Sequence, residues 1–179
     1  MDHADQSKHE QTYRQDSLRL HATVQTRSGD LQGLGCGTRQ EMSDIIDLDF
    51  SMFGLSCPLD PETGLLCGHA VHDPVVIVKA PDASSPHLLR AMLTQEKLLF
   101  ELRVYRQSAE PPGRWEHVFT YNWGAATLLK YELHFGAQDD ISSITEQLEL
   151  QPGHATVTHE PSGITWFDDW PCLPPDDPV

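Results

Sequence analysis

Apolar and polar residues alternate along much of the chain with a period of two, the pattern of strands that bury one face. In LRLHATV (18–24), Leu18, Leu20, Ala22 and Val24 fall on one face, and Arg19, His21 and Thr23 on the other. SDIIDLDFSMF (43–53) sets Ile46, Leu48 and Phe50 against Asp47, Asp49 and Ser51. KLLFELRVYRQ (97–107) sets Leu98, Phe100, Leu102 and Val104 against Glu101, Arg103 and Tyr105. PVVIVKA (74–80) is a short apolar run of the kind found in buried strands. SAEPPGR (108–114) predicts a hairpin loop, and WEHVFTYNW (115–123) its return strand. ATLLKYELHF (126–135), ITEQLEL (144–150), a weaker HATVTHE (154–160) and GITWFDDW (163–170) complete the strands. RSGDLQGLGCGT (27–38) and CPLDPETG (57–64) carry turn chemistry. About eight or nine short strands with frequent turns predict an antiparallel β-barrel or sandwich.

One segment breaks the two-residue period. In DASSPHLLRAM (82–92), Leu88 and Met92, then Leu89 and Leu93 just beyond, lie four residues apart, which predicts a short helix. Ser85 stands where an N-cap belongs, and Pro86 at the first helical position, where its missing N–H costs nothing. A nucleophilic serine would need a sharp strand-to-helix turn, usually flanked by glycines, and none is near.

The chain has 179 residues and a net charge of −15. That length suits one domain with a sizeable core. Ten acids and no Lys or Arg follow Lys130, so the last 49 residues carry −10 of the total. Such a surface disfavours nucleic acid and anionic lipid as partners. No apolar run approaches the ~20 residues of a membrane span. The polar start MDHADQSKHEQTYRQDS lacks the apolar stretch of a secretory signal. Residues 1–16 are expected to be a disordered extension, 17–170 the β-domain, and the Pro-rich acidic PCLPPDDPV (171–179) a loose tail. Cys36, Cys57, Cys67 and Cys172 show no two-residue spacing and are expected to be reduced thiols of a cytoplasmic protein.

Candidate chemistry is sparse. Cys57, Cys67, His69, His72 and Asp73 are all possible metal ligands, but their spacing is not that of a zinc site. Asp139–Asp140 and Asp168–Asp169 are adjacent pairs whose side chains diverge in a strand, so neither forms an acid/base couple. GLGCG (33–37) lacks the spacing of a phosphate loop. Neither an enzyme nor a cofactor is expected, and no metal.

Several stretches together resemble the Hcp (haemolysin-coregulated protein) family, which forms the inner tube of type VI secretion systems. They are DPETG, GHAVHDPVVIVKAPDASSPHLLRAMLTQEKLLFELRVYR, WEHVFTYNW and TVTHEPSGITWFDDW, in the family's order and spacing. The resemblance implies a mainly antiparallel β-barrel of two packed sheets with one flanking helix. It implies a ring, usually of six copies, stacked into a hollow tube that carries effectors. The implied partners are further copies of the chain and the system's sheath, spike and effector proteins. The implied location is the bacterial cytoplasm, with export by the secretion system. Residues 41–74 would form a loop reaching a neighbour, with Met52, Phe53 and Leu55 as its apolar contacts. An acidic adaptor or immunity-type protein on the same fold is the alternative, and a metal-dependent enzyme using Cys67, His69 and His72 a more remote one.

Because residues 1–16 have no apolar period to bury, deleting residues 1–15 is expected to leave the thermal unfolding midpoint nearly unchanged. A large drop would show that the extension packs on the domain.

Overall fold

The structure is a computed structural model that describes residues 18–26, 29–30, 46–68, 70–108, 113–138 and 141–169. Its strands are β1 (Leu18–Thr26), β2 (Gly29–Asp30), β3 (Ile46–Leu48), β4 (Phe50–Met52), β5 (Leu55–Ser56), β6 (Val71–His72), β7 (Val75–Lys79), β8 (Leu98–Gln107), β9 (Trp115–Gln138), β10 (Ile141–Gln151), β11 (His154–His159) and β12 (Ile164–Asp169). The single described helix, α1 (Ser85–Thr94), lies between β7 and β8. The expected extension, the Pro-rich tail, Cys36, Cys172 and His69 lie outside the described residues.

The alternation of apolar positions is realised as burial. Val75, Ile77, Leu98, Phe100, Trp123 and Leu148 are fully buried between two antiparallel sheets. Each such large side chain contributes about 1.5–3 kcal/mol. One sheet runs β1, β8, β9, β11, β12, and the other β9, β10, β7, β4. Among the described residues the sheets do not close into a continuous hydrogen-bonded barrel. The segment 46–52 spans the remaining seam: β3 pairs with β1, and β4 with β7. Between them the Asp49 N–H donates to the Val78 carbonyl at 2.9 Å. This corrects the expected long loop over 41–74, whose described part contains four short strands.

The stretches read as two strands, 115–123 and 126–135, are one strand of 24 residues shared by both sheets. It bends at Ala125, whose φ is 49°. The bend needs close approach. A Cβ on Gly124 would lie 1.9 Å from His154 Nε2, and the Gly153 N–H donates to the Gly124 carbonyl at 2.9 Å. Pro152 and Gly153 thus turn the β10–β11 chain around the same corner.

The helix starts differently from the expectation. Ser84, not Ser85, is the N-cap, and no side chain caps the helix amides. The Ser85 hydroxyl is engaged elsewhere: it accepts the Asp82 N–H at 2.9 Å and the Lys79 ammonium at 3.2 Å. With Ser84 as the N-cap, Pro86 is the second helical residue, one place later than expected, and still in the first turn, where its missing N–H costs nothing. Only one of the two apolar rows faces inward. Leu88 is buried and Met92 packs on the core, whereas Leu89 and Leu93 face solvent. Gln95, in the left-handed conformation, ends the helix.

A buried polar network joins the helix start to the sheet. Lys79 and Glu146 are directly opposite on β7 and β10, with Lys79 Nζ 2.8 Å from Glu146 Oε2. Lys79 also donates to Asp82 Oδ1 and to the Ala80 carbonyl, each at 2.9 Å. The Tyr131 hydroxyl donates to Glu146 Oε1 at 2.6 Å. Burial first, then that hydrogen bond, raises the Tyr131 pKa well above its ordinary value. Removing one member of a buried ion pair costs about 3–5 kcal/mol, because the other is left uncompensated. Lys79→Met is therefore expected to lower the unfolding free energy by about that amount. Asp82, also buried against Lys79, must be neutralised with the rest, so Lys79→Met combined with Glu146→Leu, Tyr131→Phe and Asp82→Asn should recover most of the loss in urea unfolding. An unrecovered loss would contradict the unpaired charge as its cause.

Candidate functional site

Between β4 and β7 the chain leaves the sheets as an arm. Its neck is fixed where the Asp73 N–H donates to the Gly54 carbonyl at 3.0 Å. A Cβ on Gly54 would meet Asp73 Oδ2 at 2.4 Å, so the neck requires glycine or a moved aspartate. β5 and β6 pair above it, and Leu59 bridges Leu66 further out. The turn expected from CPLDPETG forms the tip. Asp60 Oδ1 accepts the N–H groups of Glu62 and Thr63, both at 2.8 Å. Those bonds, Thr63's first, hold the Asp60 carboxyl below its ordinary pKa. Gly64 supplies the positive φ of 68° that closes the turn. His72 Nε2 lies 2.5 Å from Asp168 Oδ2 and ties the arm to β12.

The arm exposes aliphatic side chains. Leu59, Leu65 and Leu66 are 58%, 68% and 72% exposed, and Leu55 and Val71 about half. Contiguous exposed apolar side chains are uncommon on the surfaces of monomeric proteins. Beside the neck, the space between the sheets opens as a cavity of about 540 Å³ lined by Leu20, Phe53, Leu102, Val104, Tyr121 and Trp123. Burial raises the pKa of the Tyr121 hydroxyl there.

The sequence candidates divide between these two features. Met52 and Phe53 line the mouth of the cavity, and Leu55 belongs to the arm. Met52 is the last residue of β4 and half exposed, but Phe53 packs against the core. Leu59, Leu65 and Leu66 were not singled out by the sequence reading. The signal was present as apolar pairs on either side of the DPETG turn, which is a hairpin pattern. The buried Lys79–Glu146 pair was also missed. Its sign was Glu146 falling on the same strand face as Leu148 and Leu150. Of the metal candidates, Cys57 and Cys67 are exposed free thiols and His72 is paired with Asp168. Among the described residues no three His, Cys, Asp or Glu side chains are grouped to hold a metal ion.

Comparison with known proteins places this architecture. The family model described as "Type VI secretion system effector, Hcp" matches residues 23–159. The Major exported protein of Pseudomonas aeruginosa is 36% identical over 118 residues, which cover 63% of this chain and 67% of that protein. A crystal structure of an Hcp protein superposes with a TM-score of 0.79 at 20% identity, covering 88% of this chain and 100% of that one. Hcp1 of the E. coli EAEC 042 pathovar gives a TM-score of 0.71 at 25% identity, covering 86% and 98%. The secreted protein Hcp3 of Pseudomonas aeruginosa gives 0.68 at 24%, covering 87% and 100%. With its two antiparallel sheets, single flanking helix and matched central block, the chain belongs to the Hcp family of type VI secretion proteins.

Proposed function

We propose that the protein is a structural subunit of a type VI secretion inner tube. Six copies form a ring, rings stack into a tube, and effector proteins travel with it. Sheath and spike proteins of the same system are its further partners, and the assembled tube is exported by that system. The supporting observation is the arm, where three leucines stand well over half exposed around a tightly built turn. A turn so well ordered holds those side chains outward, and a neighbouring copy gives them somewhere to be buried. A monomeric acidic adaptor would leave them in water.

The net charge of −15 per copy opposes assembly. Salt screens exposed charges beyond about 8–10 Å, so assembly should strengthen as ionic strength rises until screening is complete. Phe53 is the wrong position at which to test the contact, because it packs on the core and Phe53→Asp would damage the fold. Leu65→Asp with Leu66→Asp changes only exposed side chains. The double variant is expected to keep its folding stability within about 0.5 kcal/mol and to stay monomeric where the wild type forms rings in electron micrographs. A double variant that forms rings as the wild type does would remove the arm from the interface.

A further inference from the structure

The cavity beside the neck plays no part in the proposed assembly. It sits at the seam, where the chain passes from β3, paired with β1, to β4, paired with β7. Its volume of about 540 Å³ falls within the roughly 300–1,000 Å³ that small-molecule sites occupy. Leu20, Phe53, Leu102 and Val104 give it apolar walls. Such walls with a few polar groups among them are the usual composition of a ligand pocket.

The polar groups are specific. Trp123 lines the cavity and is 1% exposed, with the rings of Phe100 and Tyr121 centred 6.0 and 5.8 Å from its own. Its indole Nε1–H has no hydrogen-bond partner among the described residues. A buried tryptophan N–H normally finds an acceptor, and leaving it unpaired costs free energy. Tyr121 lies two residues earlier on the same face of β9 and lines the same cavity. Burial raises its pKa, so its hydroxyl keeps its proton and remains a donor. Asp49 and Ser51 complete the polar lining.

We propose that this cavity binds an uncharged medium-chain acyl compound, with its hydrocarbon chain against the aliphatic walls and its carbonyl oxygen accepting the Trp123 indole N–H. The walls suit a chain, because burying it removes apolar surface from water. The indole can only donate, so its partner must carry an acceptor. Asp49 in the lining, on a chain of net charge −15, favours a neutral ligand over a carboxylate. The site lies within one subunit, so it holds or fails independently of tube formation.

The probes are methyl octanoate, octane and octanoate, titrated into the full chain at neutral pH while the four tryptophan indole N–H signals are followed by NMR. Methyl octanoate is expected to saturate and to shift the Trp123 signal. Octane lacks the acceptor and octanoate carries the charge, so each is expected to bind about tenfold more weakly. Trp123→Phe keeps a buried ring but loses the donor, and should weaken the ester about tenfold while leaving octane unchanged. Should that variant fail to fold, the comparison of ester with octane on the wild type answers the same question. Val104→Phe fills the cavity from a half-buried position and is expected to fold without binding the ester. No saturable binding of methyl octanoate, or binding undiminished in Val104→Phe, would overturn the site. Octane bound as tightly as the ester would overturn the hydrogen bond to Trp123, and octanoate bound as tightly would overturn the uncharged ligand.

Discussion

The ion pair between Lys79 and Glu146 fixes more of this structure than any other contact. Both side chains are almost completely buried, and an unpaired charge there would be severely destabilising. Lys79 therefore holds the register of β7 against β10. A one-residue slip of β7 would turn Lys79 to the other face, strand Glu146 in the core and expose the apolar set of β7. Through Asp82 and Ser85 the same ammonium places the start of the helix, which lacks a side-chain cap of its own. Through Glu146 and Tyr131 it reaches β9. β7 ends at this pair, and β9 and β10 run on together beyond it.

A second constraint is the corner at Gly124. Only a residue without a Cβ lets His154 lie over the strand, and Ala125 takes the left-handed conformation beside it. The bend lets one strand serve both sheets. It also directs β11 and β12 along the outer half of β9, where β12 becomes an exposed edge. The arm assigned to assembly is likewise a consequence of how the core is built, because it leaves at the seam between the sheets. Among the described residues β12 pairs with β11 alone, and His72 of the arm contacts its Asp168.

The strands and the helix were legible in the sequence because their side-chain periods are strict. Leu98, Phe100 and Leu102 are buried, as their alternation predicts. The features missed depend on tertiary partners. Residues 115–138 looked like two strands because the bend at Gly124 and Ala125 resembles a break until His154 is seen against it. Ser85 resembled a cap because local sequence does not reveal that Lys79 and Asp82 engage its hydroxyl. Phe53 and Leu65 are both large apolar residues near turns. Only packing distinguishes Phe53, against the core, from Leu65, in solvent. The Hcp resemblance was carried by ordered motifs across the central block, and the family match over residues 23–159 agrees with it.

The central claim is that the subunit is built to repeat head to tail. The most direct measurement is the mass of the wild-type chain in solution by analytical ultracentrifugation, across protein concentration and at moderate to high salt. A discrete closed species of several copies is expected, six on the proposed reading, with longer stacks as concentration rises. A single 20.1 kDa species under every condition would contradict it.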